Sequence, residues 1–206
     1  MITLVAHDSG NLAALEGALD RLGFASVLAR RPEQAAPSGP LILAGNGAFE
    51  RAQAALKASG WWFELPQRVA EGRCLLAFNL GLHLLAEGSE ECPRASGLGM
   101  IPGLVRRLGP GVKVPHLGWA KVQQSRPNQL LPDPHLAWLH FQHAFALEPC
   151  GETLWIAEHG RPFSVLEARG RVAAFQADLH RSGVLGLGML GKILEWAGES
   201  PRAIGN

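Results

Sequence analysis

Only three cysteines, Cys74, Cys92 and Cys150, occur in 206 residues. An odd number without CxxC or zinc-like spacing argues against both a disulfide and a metal framework, and leaves buried or incidental thiols. Charge excess is lacking too. Nineteen basic and eighteen acidic side chains leave +1, which gives neither a basic footprint for nucleic acid nor a polyanionic character. No apolar run reaches the ~20 residues that span a bilayer, and the opening run meets His7 and Asp8 before it attains signal length. Together these absences point to a cytoplasmic protein that deals with small molecules or other proteins, with no nucleic acid and no membrane. Core-forming material is plentiful. Hydrophobic residues make up 47% of the chain, and its length suits a single domain over residues 1–206, since one core becomes strained only beyond ~250 residues.

In the first half, short apolar runs alternate with helical spacing. Residues 2–6 form a run, and Leu12, Leu15, Leu19 and Leu22 then recur at helical intervals until Gly23. Further strands are expected at 25–29, 41–44 and 74–78, with helices over 48–58 and 61–70. Strands too apolar to have a wet face indicate a parallel sheet covered by helices on both sides. After Gly97 the text changes to short β-rich runs at 104–108, 119–123, 138–141, 153–157, 164–167 and 171–175. These read as antiparallel and mixed strands extending the same sheet. A helix over 181–196 closes the chain, residues 126–134 form a loop, and residues 198–206 fray.

Three glycine-containing turns follow apolar runs: Asp8-Ser9-Gly10-Asn11, Gly45-Asn46-Gly47 and Asn79-Leu80-Gly81. In an open α/β sheet the loops leaving the carboxyl ends of the strands share one edge, so the three should face one crevice. The run Leu75-Leu76-Ala77-Phe78 followed by Asn79-Leu80-Gly81-Leu82-His83 reads as a buried strand turning sharply into a helix. That architecture presents a catalytic nucleophile, yet its apex is Asn79, which has no thiol or hydroxyl to activate.

Several separated segments, in order, resemble one family. They are SGNL at 9–12, GNGAF at 45–49, the elbow string, GLGMIPGLVRRL at 97–108, VPHLGW at 114–119, and FQ followed by RSG across 175–183. The pattern is similar to the HisH-type glutaminase subunits of imidazole glycerol phosphate synthase, class I glutamine amidotransferases of histidine biosynthesis. The resemblance implies a flavodoxin-like, mostly parallel sheet with helices on both faces and added antiparallel strands in the C-terminal half. It implies no cofactor and no metal. Its partner is a cyclase subunit with a β/α barrel, which receives ammonia and closes the imidazole ring.

The resemblance also implies a Cys-His-Glu triad with backbone donors for the oxyanion. Its three positions fall on Asn79, Asp178 and His180. No nucleophile remains, a carboxylate stands where the imidazole was needed, and an imidazole where the carboxylate was needed. Neighbouring text departs as well: Ala44-Gly45-Asn46-Gly47 stands for Pro-Gly-Val-Gly, and Ala6-His7-Asp8 for Asp-Tyr-Gly. The family reaction is therefore expected to be lost through divergence, leaving a pseudoenzyme that binds or regulates another protein. Two alternatives stay open: a divergent enzyme using Asp178 and His180 on a non-glutamine substrate, and a structural partner of the cyclase during ammonia-dependent synthesis.

Other candidates follow from placement. Gly45, Asn46, Gly47, Leu80 and His83 are expected around the oxyanion and a former glutamine pocket that still takes a small molecule. The resemblance puts Asn11, His116 and Trp119 near the partner interface. Cys74 lies five residues before the apex, about 16 Å away at ~3.3 Å per residue, and reads as a core thiol. An extended chain would place Asp178 and His180 on one face. Of the remaining histidines, His140 and His143 read as structural. Trp61-Trp62-Phe63 reads as core at the start of a helix, and Arg106-Arg107, adjacent on a strand, point to opposite faces.

Overall fold

The computed structural model describes residues 1–7, 12–131 and 136–201. The turn 8–11, with Asn11 and Ser9, lies outside the described residues, as do 132–135 in the expected loop and the tail from 202. The elements run β1 (Ile2–Val5), α1 (Ala13–Arg21), β2 (Ser26–Ala29), β3 (Leu41–Gly45), α2 (Phe49–Ser59), α3 (Trp61–Ala70), β4 (Leu75–Asn79) and α4 (Leu80–Leu85). There follow β5 (Gly88–Ser89), β6 (Leu104–Arg107), β7 (His116–Gln124), β8 (Leu136–His143), β9 (Phe145–Leu147), β10 (Trp155–Glu158), β11 (Pro162–Arg169), β12 (Val172–Phe175) and α5 (Gly183–Trp196). Two single 3-10 turns, Pro32–Gln34 and Leu179–Arg181, complete the order.

Nine strands form one sheet in the order β2-β1-β3-β4-β12-β11-β10-β7-β8. The first five are parallel and the remaining four antiparallel. Side chains alternate across the central strands, as a two-residue period requires. Ile2, Leu4, Ile42, Ala44, Leu76, Phe78, Ala173 and Phe175 pack on one face with Leu15 and Leu19 of α1 and Leu190 and Ile193 of α5. Leu41, Leu43, Leu75, Ala77, Val172 and Ala174 pack on the other, beneath Leu56 of α2, Leu65 of α3 and Leu82 of α4. Burying each such Leu or Phe contributes about 1.5–3 kcal/mol, and this two-sided burial leaves few polar positions on the strands, the buried Thr3 accepting from the Ala36 N–H.

Residues 104–108 do not extend this sheet. As β6 (Leu104–Arg107) they pair with β5 and β9 in a separate three-stranded sheet. Two adjacent arginines suit such a small outlying sheet. Arg106 donates to the carboxylates of Glu90 and Glu148, while the Arg107 backbone N–H donates to Glu90. Several strands outrun the expected bounds, because cross-strand pairing carries β7 and β8 through eight partnered positions. Trp61 is buried with its indole N–H on the Ala29 carbonyl, whereas Phe63 is exposed.

Candidate functional site

Strand β4 ends on Asn79, the only non-glycine residue with positive φ among those described (φ 53°, ψ −111°). Such a conformation costs on the order of 1–3 kcal/mol and persists only where surroundings impose it. Asparagine tolerates it better than most residues. The constraint comes from both sides. Asn79 pairs with Gly45 on β3, and Phe78 stacks on Phe175 of β12 with ring centroids 5.4 Å apart. Beyond the apex, a Cβ on Gly81 would collide with the Leu43 carbonyl, so α4 can lie this close to β3 only with glycine there.

The Asn79 carboxamide is fully engaged. Its Nδ2 donates to the Gln142 carbonyl at 3.1 Å and to Asp178 Oδ1 at 3.5 Å, while its Oδ1 accepts from Gln176 Nε2 at 3.4 Å. Gln176 Oε1 in turn lies 2.9 Å from His83 Nε2, and the network is self-consistent when His83 carries its proton on that nitrogen. Elements α4, β4, β8 and the segment after β12 are thereby tied across the elbow.

Asp178 is buried, and burial holds its carboxyl above the usual aspartate range. The Leu179–Arg181 turn begins at Asp178 (φ −85°, ψ 82°), so the chain is not extended there. The extended chain on which a shared face depended is absent, though Asp178 and His180 still line one cavity, and the imidazole with a nitrogen near the Asp178 carboxylate is that of His140, with Nδ1 3.8 Å from Oδ2. His140 and Gln142 sit two apart on β8 and share a face, a relation that becomes meaningful only once β8 is placed beside the elbow.

Two cavities lie at the elbow, and Asn79 itself lines the first. One of about 320 Å³ is lined by Asn46, Gly47, Asn79, Leu80, His83 and Glu91, with Leu117 and Phe145 among its walls. The other, about 260 Å³, is lined by Gly45, Asn46, Gln142, Asp178, His180 and Arg181 against Leu12, Leu15 and Phe78. The site thus gathers Gly45, Asn46, Gly47, Asn79, Leu80, His83, Asp178 and His180. Among the described residues, no cysteine, serine or threonine lines either cavity. Cys74 is buried just before β4, near the Arg171 guanidinium, Cys150 is exposed, and Cys92 lines a separate cavity. Sequence reasoning missed Gln142, Glu91 and His140 as members of this group. Only Gln176 left a trace, as an anchor for the resemblance.

Burial keeps the nearby imidazoles neutral. The pKa falls to about 4 for His83, His116 and His180 and to about 3 for His143, desolvation being the largest cause in each. His116 belongs to a ring cluster, stacked on His159 at 4.1 Å and Phe141 at 5.2 Å, with His143 at 5.3 Å. At 6% exposure its ring is withdrawn from the surface, while Trp119 is 52% exposed and meets His140 edge-on. No group of three or more His, Cys, Asp or Glu among the described residues is placed to hold a metal ion. Nor is any described helix long and apolar enough to cross a membrane.

No protein-family model matches the chain. The imidazole glycerol phosphate synthase subunit HisH of Streptococcus gordonii is 35% identical over 203 residues, covering 97% of this chain and 98% of that protein. The chloroplastic imidazole glycerol phosphate synthase hisHF of Arabidopsis thaliana is 33% identical over 200 residues, covering 94% of this chain and 34% of that longer one. A crystal structure of a glutamine amidotransferase matches the fold with a TM-score of 0.75 at 23% identity, over 96% of this chain and 99% of that one.

Proposed function

The chain belongs to the family of HisH subunits of imidazole glycerol phosphate synthase, of histidine biosynthesis, and on that footing we propose that it has lost glutaminase chemistry and persists as a binding or regulatory partner. One observation carries the reading: Asn79 occupies the strained apex with its carboxamide fully bonded, and no thiol or hydroxyl among the described residues lines the cavities beside it. Thiolate attack on an amide needs a sulfur at the apex and an imidazole to take its proton. Here Asn79, Asp178 and His180 stand at the triad positions: the apex has no nucleophile, a carboxylate stands where the imidazole belongs and an imidazole where the carboxylate belongs.

The partner in this reading is the cyclase subunit. Support comes from the Arabidopsis relative, whose name joins the two parts as hisHF and of which this chain matches about a third. The exposed sheet face holding Trp119 (52% exposed), Leu117 (59%) and Trp138 (58%) supplies an apolar surface for it. Trp119 also contacts His140, which faces Asp178, so a partner seated there would touch the rim of the site. The cavity holding His83 and Glu91 is the former glutamine pocket, still able to take a small molecule.

The test is glutamine hydrolysis by the purified chain with and without the cyclase, alongside Asn79→Ala. No partner-stimulated hydrolysis is expected. Stimulated turnover that survives Asn79→Ala would overturn the proposal. A second reading, an enzyme of different chemistry, draws support from the buried Asp178 facing an imidazole, now that of His140 as well as the nearby His180. A third keeps the chain as a structural partner of the cyclase; altered ammonia-dependent cyclase turnover in a stoichiometric complex would favour it.

A further inference from the structure

We propose that the 260 Å³ cavity on the Asp178 side of the elbow binds a small organic cation bearing N–H donors, an alkylammonium or amidinium group, with Asp178 as its counter-ion. The Asp178 carboxylate is buried but poorly compensated. Among the described residues its contacts are the Asn79 amide at 3.5 Å and His140 Nδ1 at 3.8 Å, both longer than the ~2.7–2.9 Å of a charge-assisted bond. A buried charge left in this state is costly unless it is protonated or paired. His180 lines the same cavity, and its Nδ1 is buried without a hydrogen-bond partner. The Arg181 guanidinium, the one in the lining among the described residues, donates instead to Gln142 Oε1 at 2.9 Å.

The cavity therefore offers the Asp178 carboxylate to a donor, with the His180 ring beside it, between apolar walls from Leu12, Leu15 and Phe78. Its complement is compact, cationic and rich in N–H, with a short apolar part. The volume lies below the ~300–1,000 Å³ of drug-sized sites, which limits the ligand to a few heavy atoms. Binding requires the ionised form of Asp178, whose pKa is held up by burial, so affinity increases as pH rises. Among the described residues, the charged or titratable groups around it are His140 from β8 and His180 and Arg181 from its own turn, with Arg21 of α1 acting on His180.

This inference does not depend on the cyclase, and its test uses the isolated full chain. The protein is titrated with methylammonium and acetamidinium chlorides, with tetramethylammonium and potassium chlorides as controls at equal ionic strength. Heat and the side-chain resonances of Asn79 and His180 are followed. Saturable binding of the two N–H cations is expected, tightening as pH rises and at least roughly tenfold weaker in Asp178→Asn. Absence of saturable heat, an unchanged affinity in Asp178→Asn, or an equal response to tetramethylammonium would overturn it. Should the variant fail to fold, the wild-type resonances decide: perturbation confined to the cavity is expected, and perturbation spread over the surface refutes the site.

Discussion

Asn79 uses both of its amide protons and its carbonyl oxygen while sitting in a backbone conformation that favours glycine. Strain and hydrogen bonds therefore separate by substitution. Asn79→Ala keeps the strain and loses the bonds; Asn79→Gly loses the same bonds but relieves the strain. The glycine variant should be the more stable by about 1–2 kcal/mol in urea unfolding, and equal stabilities would mean that the apex is unstrained. The histidines give a second residue-scale expectation. Folded pKa values of about 4, 4, 4 and 3 for His83, His116, His180 and His143 lie below the ordinary 6.5. The unfolded chain thus takes up protons first, and stability should fall as pH drops from about 6.5 toward about 4. Asp178, Glu167 and Glu91, raised by burial, act in the opposite direction, but three carboxyls oppose four imidazoles. Urea midpoints against pH should show the net loss, and His116→Phe, which keeps a stacking ring, should make it shallower.

At the scale of elements, the strand-turn-helix of β4 and α4 is the unit that locates the site. It was legible because an unbroken apolar run met a glycine two residues after the apex. Gly81→Ala should push α4 away from the Leu43 carbonyl and destabilise the protein by about 1–3 kcal/mol; a thermal midpoint unchanged from wild type would show that the close approach is not needed. The turn after β12 was less legible. Two-residue spacing suggested a shared face for Asp178 and His180, but a 3-10 turn starts there; both line one cavity, and the face of β8 adds a further imidazole, that of His140. The strand at 104–107 was recognisable as a strand, yet nothing local told which sheet it would join.

For the molecule as a whole, the antiparallel half of the sheet leaves Leu117, Trp119, Leu136 and Trp138 exposed on β7 and β8. Large aromatics at the centre of an interface commonly carry about 2 kcal/mol or more. Trp119→Ala should therefore weaken cyclase binding roughly thirtyfold with little change in thermal midpoint, since the side chain is already half exposed. Titration calorimetry against the purified cyclase reads this directly, and an unaltered affinity would remove Trp119 from the contact. His116 is a different case. Its place inside the ring cluster makes any effect on partner binding indirect, and its substitution should lower stability first.

The sequence by itself determined the alternation of strand and helix, the two-sided burial of the central strands, the elbow and its asparagine, because all of these follow from local spacing and from which side chains avoid water. Family resemblance added the positions 79, 178 and 180. Only the tertiary structure decided that Asp178 faces His140, that Gln142 and Gln176 bind the Asn79 amide, and that a second small sheet forms beside the first. The side-chain relations join residues 38 to 97 positions apart, and their partners are set by the register in which distant strands pair, which no short stretch of sequence specifies.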